Sequence, residues 1–151
     1  MNDDTLRGQA HQLKKLLEEL ANCCQIHRHY EVNLFSLPYA EAKCLLILNQ
    51  LKQCSLKKIA QKLEVSKSRV TRIVQSLARK GFVTVKIHPQ DSRNKVCEIS
   101  PKGYGLIQKL EDFRLSLHVN VLKQINPQER EIILNSLHKL RQAMSQANNI
   151  K

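Results

Sequence analysis

One stretch of the chain combines cations and small polar side chains at a spacing suited to contact with a polyanion. In Ser66-Lys67-Ser68-Arg69-Val70-Thr71-Arg72-Ile73-Val74-Gln75-Ser76-Leu77-Ala78-Arg79, helical periodicity gathers Val70, Ile73, Val74 and Leu77 on one side. It leaves Lys67, Ser68, Arg69, Thr71, Arg72, Gln75 and Arg79 on the other. Basic and small polar groups along the exposed N-terminal half of a helix suit the major groove of duplex DNA, which admits a helix and displays legible base edges. A second basic segment, Asp91-Ser92-Arg93-Asn94-Lys95, follows in what reads as a hairpin.

The charge is concentrated in the same place. Residues 52 to 102 hold 13 Lys or Arg against three acids, whereas the residues before them carry a net −1 and those after them +3, within a chain total of +12. A merely solvated basic surface would spread its charge; concentration on one segment is the footprint of phosphate binding. Aromatics are scarce at 4%, with no Trp, which argues against stacking of single-stranded bases. The 42% apolar content supports a real core in a chain of single-domain length.

The elements that must carry these residues are mainly helical. Leu13, Leu17, Leu20 and Cys24, with a second row Leu16, Leu20, Cys23, His27 and Tyr30, predict a long first helix with a wide apolar face. Pro38 is placed as the first residue of a second helix over about 38–50, buried through Ala42, Leu45, Leu46 and Leu48. Leu56, Ile59, Ala60 and Leu63 predict a short third helix, and Gly81 the left-handed stop of the basic fourth. Val83, Val85 and Ile87 alternate as a strand, 88–94 form a turn, and 95–100 return as its partner. Pro101 opens a long helix with a stripe of Leu106, Leu110, Phe113, Leu117 and Val121. Asn126-Pro127-Gln128-Glu129 starts a last helix, expected to bury Ile133, Leu137, Leu140 and Met144 and to fray after Gln146. Terminal stripes with nothing else to cover must pack together, and a symmetric two-chain bundle is the economical solution. Such a dimer sets two reading helices about 34 to 36 Å apart, one turn of DNA.

This order resembles the winged-helix regulators of the multiple-antibiotic-resistance (MarR) family. The family's wing pattern is D-x-R, five residues, then L-T-x-x-G. Here Asp91-Ser92-Arg93 is followed by Asn94 to Glu98 and by Ile99-Ser100-Pro101-Lys102-Gly103, with the spacing kept over 13 positions. Ser55, Ile59, Ala60, Leu63, Val65 and Ser66 match the family's helix-turn-helix pattern, although Lys58 stands where a capping Glu is common. The resemblance implies a mainly α fold with a small β-hairpin wing. A winged helix-turn-helix DNA-binding domain over 36–103 would be joined to dimerisation helices at 1–35 and 104–151. It implies that Ser55 and Ser66 cap the two reader helices. Lys67, Ser68, Arg69, Thr71, Arg72 and Gln75 would then face the major groove, and Arg93 a narrow minor groove. Lys86 and Lys95 would meet phosphates, and Asp91 would orient a neighbouring basic side chain. It further implies a homodimeric repressor on a pseudo-palindromic double-stranded operator, relieved by a small anionic or lipophilic ligand or by an oxidant. His27, Tyr30, Phe35 and Tyr39 are the candidate pocket.

Other chemistries are weaker. Five cysteines with no C-x-x-C pair suit a reducing compartment, and the polar Met1-Asn2-Asp3-Asp4 start is unlike a secretory signal, so a cytoplasmic location is expected. No apolar run of about 18 residues suggests a membrane span. Cys23 and Cys24 beside His27 and Arg28 could sense an oxidant, but buried helix cysteines are more often packing residues. His27 and His29 point to nearly opposite sides of a helix, so no metal site is expected. Without a Gly-rich phosphate loop, a metalloprotease motif or a nucleophile with its base, neither an enzyme nor a cofactor is expected. The charge alone also allows a basic protein that coats DNA with little sequence preference.

Overall fold

A computed structural model describes residues 3–148. Its elements run α1 (Asp3–Phe35), α2 (Tyr39–Leu51), β1 (Gln53–Ser55), α3 (Leu56–Leu63), α4 (Lys67–Arg79), β2 (Val83–His88), β3 (Asp91–Ile99), α5 (Pro101–Lys123) and α6 (Pro127–Asn148). The chain is mainly helical with a β-hairpin, as the sequence leads one to expect, and the described residues add a third strand to that hairpin in an antiparallel sheet of order β1-β3-β2. Two compact units divide between Leu110 and Glu111, inside α5.

In the first unit the core is built where three amphipathic helices meet the base of the sheet. Leu45 and Leu48 of α2, Ile59 of α3 and Val70, Val74 and Leu77 of α4 are all essentially inaccessible, with Cys97 of β3 and Leu110 of α5 closing the cluster. All four residues expected on the inner side of α4 are buried there. Gly81 takes a φ of 78°, the left-handed turn that ends α4 without a Cβ clash.

Several expectations need correction. Pro38 is the N-cap of α2 and not its first helical residue; its extended ψ of 143° belongs to the entry, not the helix. The three-residue β1 was not foreseen; it pairs Gln53, Cys54 and Ser55 with Glu98, Cys97 and Val96. The hairpin turn contracts to Pro89–Gln90, because His88 pairs with Asp91 across a register shift. In β2 only Val83 reaches the core, and Val85 and Ile87 are exposed as the hairpin leaves the body. In α5 the buried positions are Gly103, Ile107 and Leu110; Phe113 and Leu117 are half-buried and Val121 is exposed. The only buried residue of α1 is Glu31, and Leu13, Leu16 and Leu20 of the predicted stripe are exposed.

The second unit holds the end of α5 and all of α6. Asn126 Oδ1 accepts from the Gln128 amide at 3.2 Å, as the start signal predicts, and Arg130 Nε donates to the carbonyls of Leu122 and Ile125. α6 buries none of its residues, so Ile133, Leu137 and Met144 stand exposed and Leu140 half-buried, contrary to expectation. Within the described residues of this unit, nothing covers them. The helix continues past Gln146 to Asn148, and residues 149–151 lie outside the described residues, as do Met1 and Asn2.

Burial, reinforced by neighbouring thiols, raises Cys44 and Cys97 from an ordinary 9.0 to about 12. The folded state holds these protons after the unfolded chain has released them. Their contribution is therefore intact below about pH 9 and lost as pH climbs towards 12. Thermal melts should show the transition temperature falling across that window, and Cys44→Ala should flatten the fall relative to the parent chain. An identical slope in both proteins would contradict the assignment.

Candidate nucleic-acid interface

The reading surface begins with two serine caps. Ser55 Oγ accepts from the Lys58 amide at 3.2 Å to start α3, and Ser66 Oγ accepts from the Arg69 amide at 3.3 Å to start α4. Each satisfies an amide that the helix end leaves orphaned. Lys58 supplies no reciprocal carboxylate, so the α3 cap is one-sided. Between the helices Glu64 adopts a left-handed φ of 55°, and its amide donates to the carbonyls of Ala60 and Gln61, turning the chain sharply.

Lys67, Ser68, Arg69, Arg72, Gln75 and Arg79 are exposed on α4, and Thr71 is half-buried. Ser68, Arg72, Gln75 and Arg79 step by 4, 3, 4 and so share one stripe. The Thr71 hydroxyl donates to the Lys67 carbonyl at 2.9 Å, so it offers its oxygen lone pair and methyl outward rather than a proton. No acidic residue lies on α4. Among the described residues no carboxylate pairs with Lys67, Arg69, Arg72, Arg93 or Lys95. These cations, together with the positive end of the helix dipole, are available to an anion.

The wing tip is held by Asp91. Its Oδ1 accepts from the Arg93 amide at 3.0 Å and its Oδ2 from Asn94 Nδ2 at 2.9 Å. Asp91 thus shapes the backbone that presents Arg93; it does not orient a basic side chain, which corrects the expectation. The Lys86 ammonium sits 2.8 Å from Glu98 in an exposed ion pair.

A groove of about 860 Å³ joins the two prongs, its walls including Lys57, Val65, Lys67 and Thr71 from the helical side and Arg93 and Lys95 from the wing. Residues some 25 positions apart in sequence thereby face one concavity. Lys57 was missed as a wall of this groove; its place at the first turn of a helix rich in Lys was the available signal. The candidate pocket residues behave differently. His27, Tyr30, Phe35 and Tyr39 line neither this groove nor the smaller one beside β2, and Tyr39 is instead flanked by Arg28 and Lys43 at 4.9 and 5.6 Å from its ring centre. Cys23 and Cys24 are both exposed.

The reader is fixed to the body from behind. Lys80, just after α4, pairs at 2.6 Å with Glu41 of α2, whose side chain is almost fully enclosed, and Lys102 Nζ donates to the Lys80 carbonyl. Ser100 Oγ donates to the Gly81 carbonyl and accepts from the Gly103 amide. A Cβ on Gly103 would collide with the Phe82 carbonyl oxygen and crowd Ile99, which explains why the end of the wing motif requires glycine. Gly103→Ala should destabilise the fold by about 1–3 kcal/mol through overpacking, read as a lower urea midpoint with unchanged slope. A midpoint equal to the parent's would show that Phe82 yields freely.

Comparison with known proteins agrees with this geometry. The MarR family model matches residues 37–95. The chain is similar to the HTH-type transcriptional regulator BilQ of Clostridioides difficile (strain CD3), 23% identical over 94 residues, and the matched stretch spans 62% of this chain and 64% of BilQ. Among solved structures, the YusO protein of Bacillus subtilis superposes with a TM-score of 0.80 at 19% identity, covering 95% of this chain and 99% of YusO. A MepR variant from S. aureus, bound to an oligodeoxyribonucleotide, superposes with a TM-score of 0.70 at 16% identity, covering 87% of this chain and 97% of that one.

Proposed function

We propose that the chain, similar to the MarR family over residues 37–95, is a member of that family and a homodimeric, sequence-specific DNA-binding transcriptional regulator acting as a repressor. One observation carries the reading: a single groove is walled by Lys67 and Thr71 of the recognition helix and by Arg93 and Lys95 of the wing. In this reading Ser68, Arg72 and Gln75 meet base edges in the major groove, Arg93 enters the adjacent minor groove, and Lys57, Lys67 and Lys95 neutralise phosphates. Lys86 contributes less, because Glu98 already balances it.

The dimer is part of the same proposal. The terminal helices 1–35 and 104–151 supply its contacts, since Leu13, Leu16 and Leu20 of α1 and Ile133, Leu137 and Met144 of α6 are left uncovered within their own units. Two copies related by a two-fold axis would read a pseudo-palindromic operator. Relief by a small anionic ligand is supported by the Arg28–Tyr39–Lys43 stack, a cationic and aromatic surface at the start of α2.

Competition binding tests the central claim. A specific regulator prefers its operator to random duplex by roughly a thousandfold or more; equal affinity for every duplex would instead assign a basic DNA-coating protein. Arg72→Ala should weaken operator binding by about 1–3 kcal/mol and relax base preference at one position. Lys95→Ala should lower affinity for all sequences alike and flatten the logarithmic salt dependence by about one unit. A Lys95 variant that changes base preference alone would contradict the phosphate role.

A further inference from the structure

Three cysteines far apart in sequence, Cys44, Cys54 and Cys97, are gathered at the root of the wing. Cys54 on β1 stands directly opposite Cys97 on β3 in the antiparallel register, and Cys44 of α2 lies close enough to both for their charges to couple. All three are buried and unbonded to one another. They do not make a metal site: among the described residues no group of three His, Cys, Asp or Glu side chains is placed to hold one.

We propose that Cys54 and Cys97 form a reversible intrachain disulfide that pulls the wing out of register with the recognition helix and weakens DNA binding. Directly opposed residues of an antiparallel pair have Cα atoms about 4.5 or 5.5 Å apart, depending on the site, and both values lie inside the disulfide range of about 4.4 to 6.8 Å. Cys23 and Cys24 lack this relation, because neighbours on α1 project their side chains about a quarter-turn apart. β1 is a three-residue edge strand, the part of the sheet that opens most readily to a small reagent. Burial raises the Cys54 thiol, but Lys58 and Lys62 oppose that effect, whereas no cation does so at Cys44 or Cys97. Cys54 is therefore the attacking group once β1 opens.

The oxidant is a low-molecular-weight disulfide. The Cys54 thiolate attacks one of its sulfurs, the small S–S bond breaks, and the departing thiolate takes up a proton. The Cys97 thiolate then attacks Cys54 Sγ in the mixed disulfide and displaces the second small thiol. Two protein thiols lose two electrons in total, and one small disulfide becomes two thiols. Closing the bond draws the two Cβ atoms from about 4.5–5.5 Å to about 3.8 Å. The strain runs along β3 to Lys95 and Arg93 on one side and through Ser55, the cap of α3, on the other.

The effect on DNA rests on the DNA-binding reading above; formation of the bond does not. The full chain is equilibrated in glutathione buffers of graded ratio, alkylated, and digested with trypsin without reduction. Trypsin places Cys54 on 53–57, Cys97 on 96–102, Cys44 on 44–52 and the Cys23–Cys24 pair on 16–28. The expected product is 53–57 joined to 96–102, two hydrogens lighter than the separate peptides. Over the same titration DNA affinity should fall about tenfold, the order of one lost base contact. Cys54→Ser should abolish both changes, and a Cys23→Ser, Cys24→Ser double variant should keep both. Circular dichroism checks that each variant folds, and Cys54→Ala replaces Cys54→Ser if the hydroxyl is not tolerated. Unlinked peptides in fully oxidised buffer, or linkage only through Cys44, Cys23 or Cys24, would overturn the proposal. A 53–57 to 96–102 link with unchanged DNA affinity would overturn its regulatory half. If the reduced chain binds no DNA, the functional reading fails, and the peptide map still decides the disulfide.

Discussion

The reading surface depends on the rotation of one helix about its own axis. Val70, Ile73, Val74 and Leu77 of α4 are locked among Leu45, Leu48 and Ile59, and burying each such side chain contributes about 1.5–3 kcal/mol. Turning α4 by one residue would lift part of that wall into water and press Arg72 or Arg69 into the core, where an unpaired guanidinium costs far more than any of these gains. The apolar side therefore dictates which polar residues face outward, and it does so before any nucleic acid is present. Recognition residues of very different type can be held in one stripe because the opposite face alone sets their direction.

The distribution of acids follows the same logic. Concentrating cations raises self-repulsion, and a fold can relieve it only by placing carboxylates where they do not neutralise the reading face. The cassette has three. Glu64 ends α3 in a left-handed turn, Asp91 holds the backbone of the wing tip, and Glu98 pairs with Lys86. The fourth nearby acid, Glu41, reaches across from α2 to Lys80 behind the recognition helix. Glu41 and Glu98 act away from the groove and Asp91 at the wing tip; Glu64 alone lies on its wall, outnumbered there by Lys57, Lys67, Arg93 and Lys95, so the groove keeps a positive balance.

How much of this was legible follows from which interactions are local. Helical spacing revealed the inner face of α4, and Gly81 announced its end, because both consequences operate within a few residues. The wing motif also announced Gly103, but only the structure supplies the cause, contact with Phe82 and Ile99. Strand β1 was invisible: Gln53-Cys54-Ser55 has no alternation to read, and its identity as a strand comes entirely from pairing with Val96–Glu98 more than 40 residues later. The cysteine cluster was hidden for the same reason, since two of its members meet only through that pairing. The short turn at Pro89–Gln90 was overestimated because breaker residues mark a region, whereas Asp91 uses its side chain to let the strand begin early.

The terminal helices mark the boundary of what one copy can explain. α6 is 22 residues long and buries none of them, yet isolated helices are marginal in water unless an apolar face is covered. Ile132, Ile133, Leu134, Leu137 and Met144 all lie open on it, and α1 likewise exposes Leu6, Leu16, Leu20, Ile26 and Leu34. Periodicity identifies such stripes correctly but does not name their occupant, because the pattern is the same whether the cover comes from within the chain or from another. Cover from a second copy has a consequence that internal cover lacks. It ties the separation of two recognition helices to the packing of α1 and α6, so anything that alters that packing alters whether both helices can reach successive turns of one duplex. The residues that never approach DNA would then decide how well those in the groove can hold it.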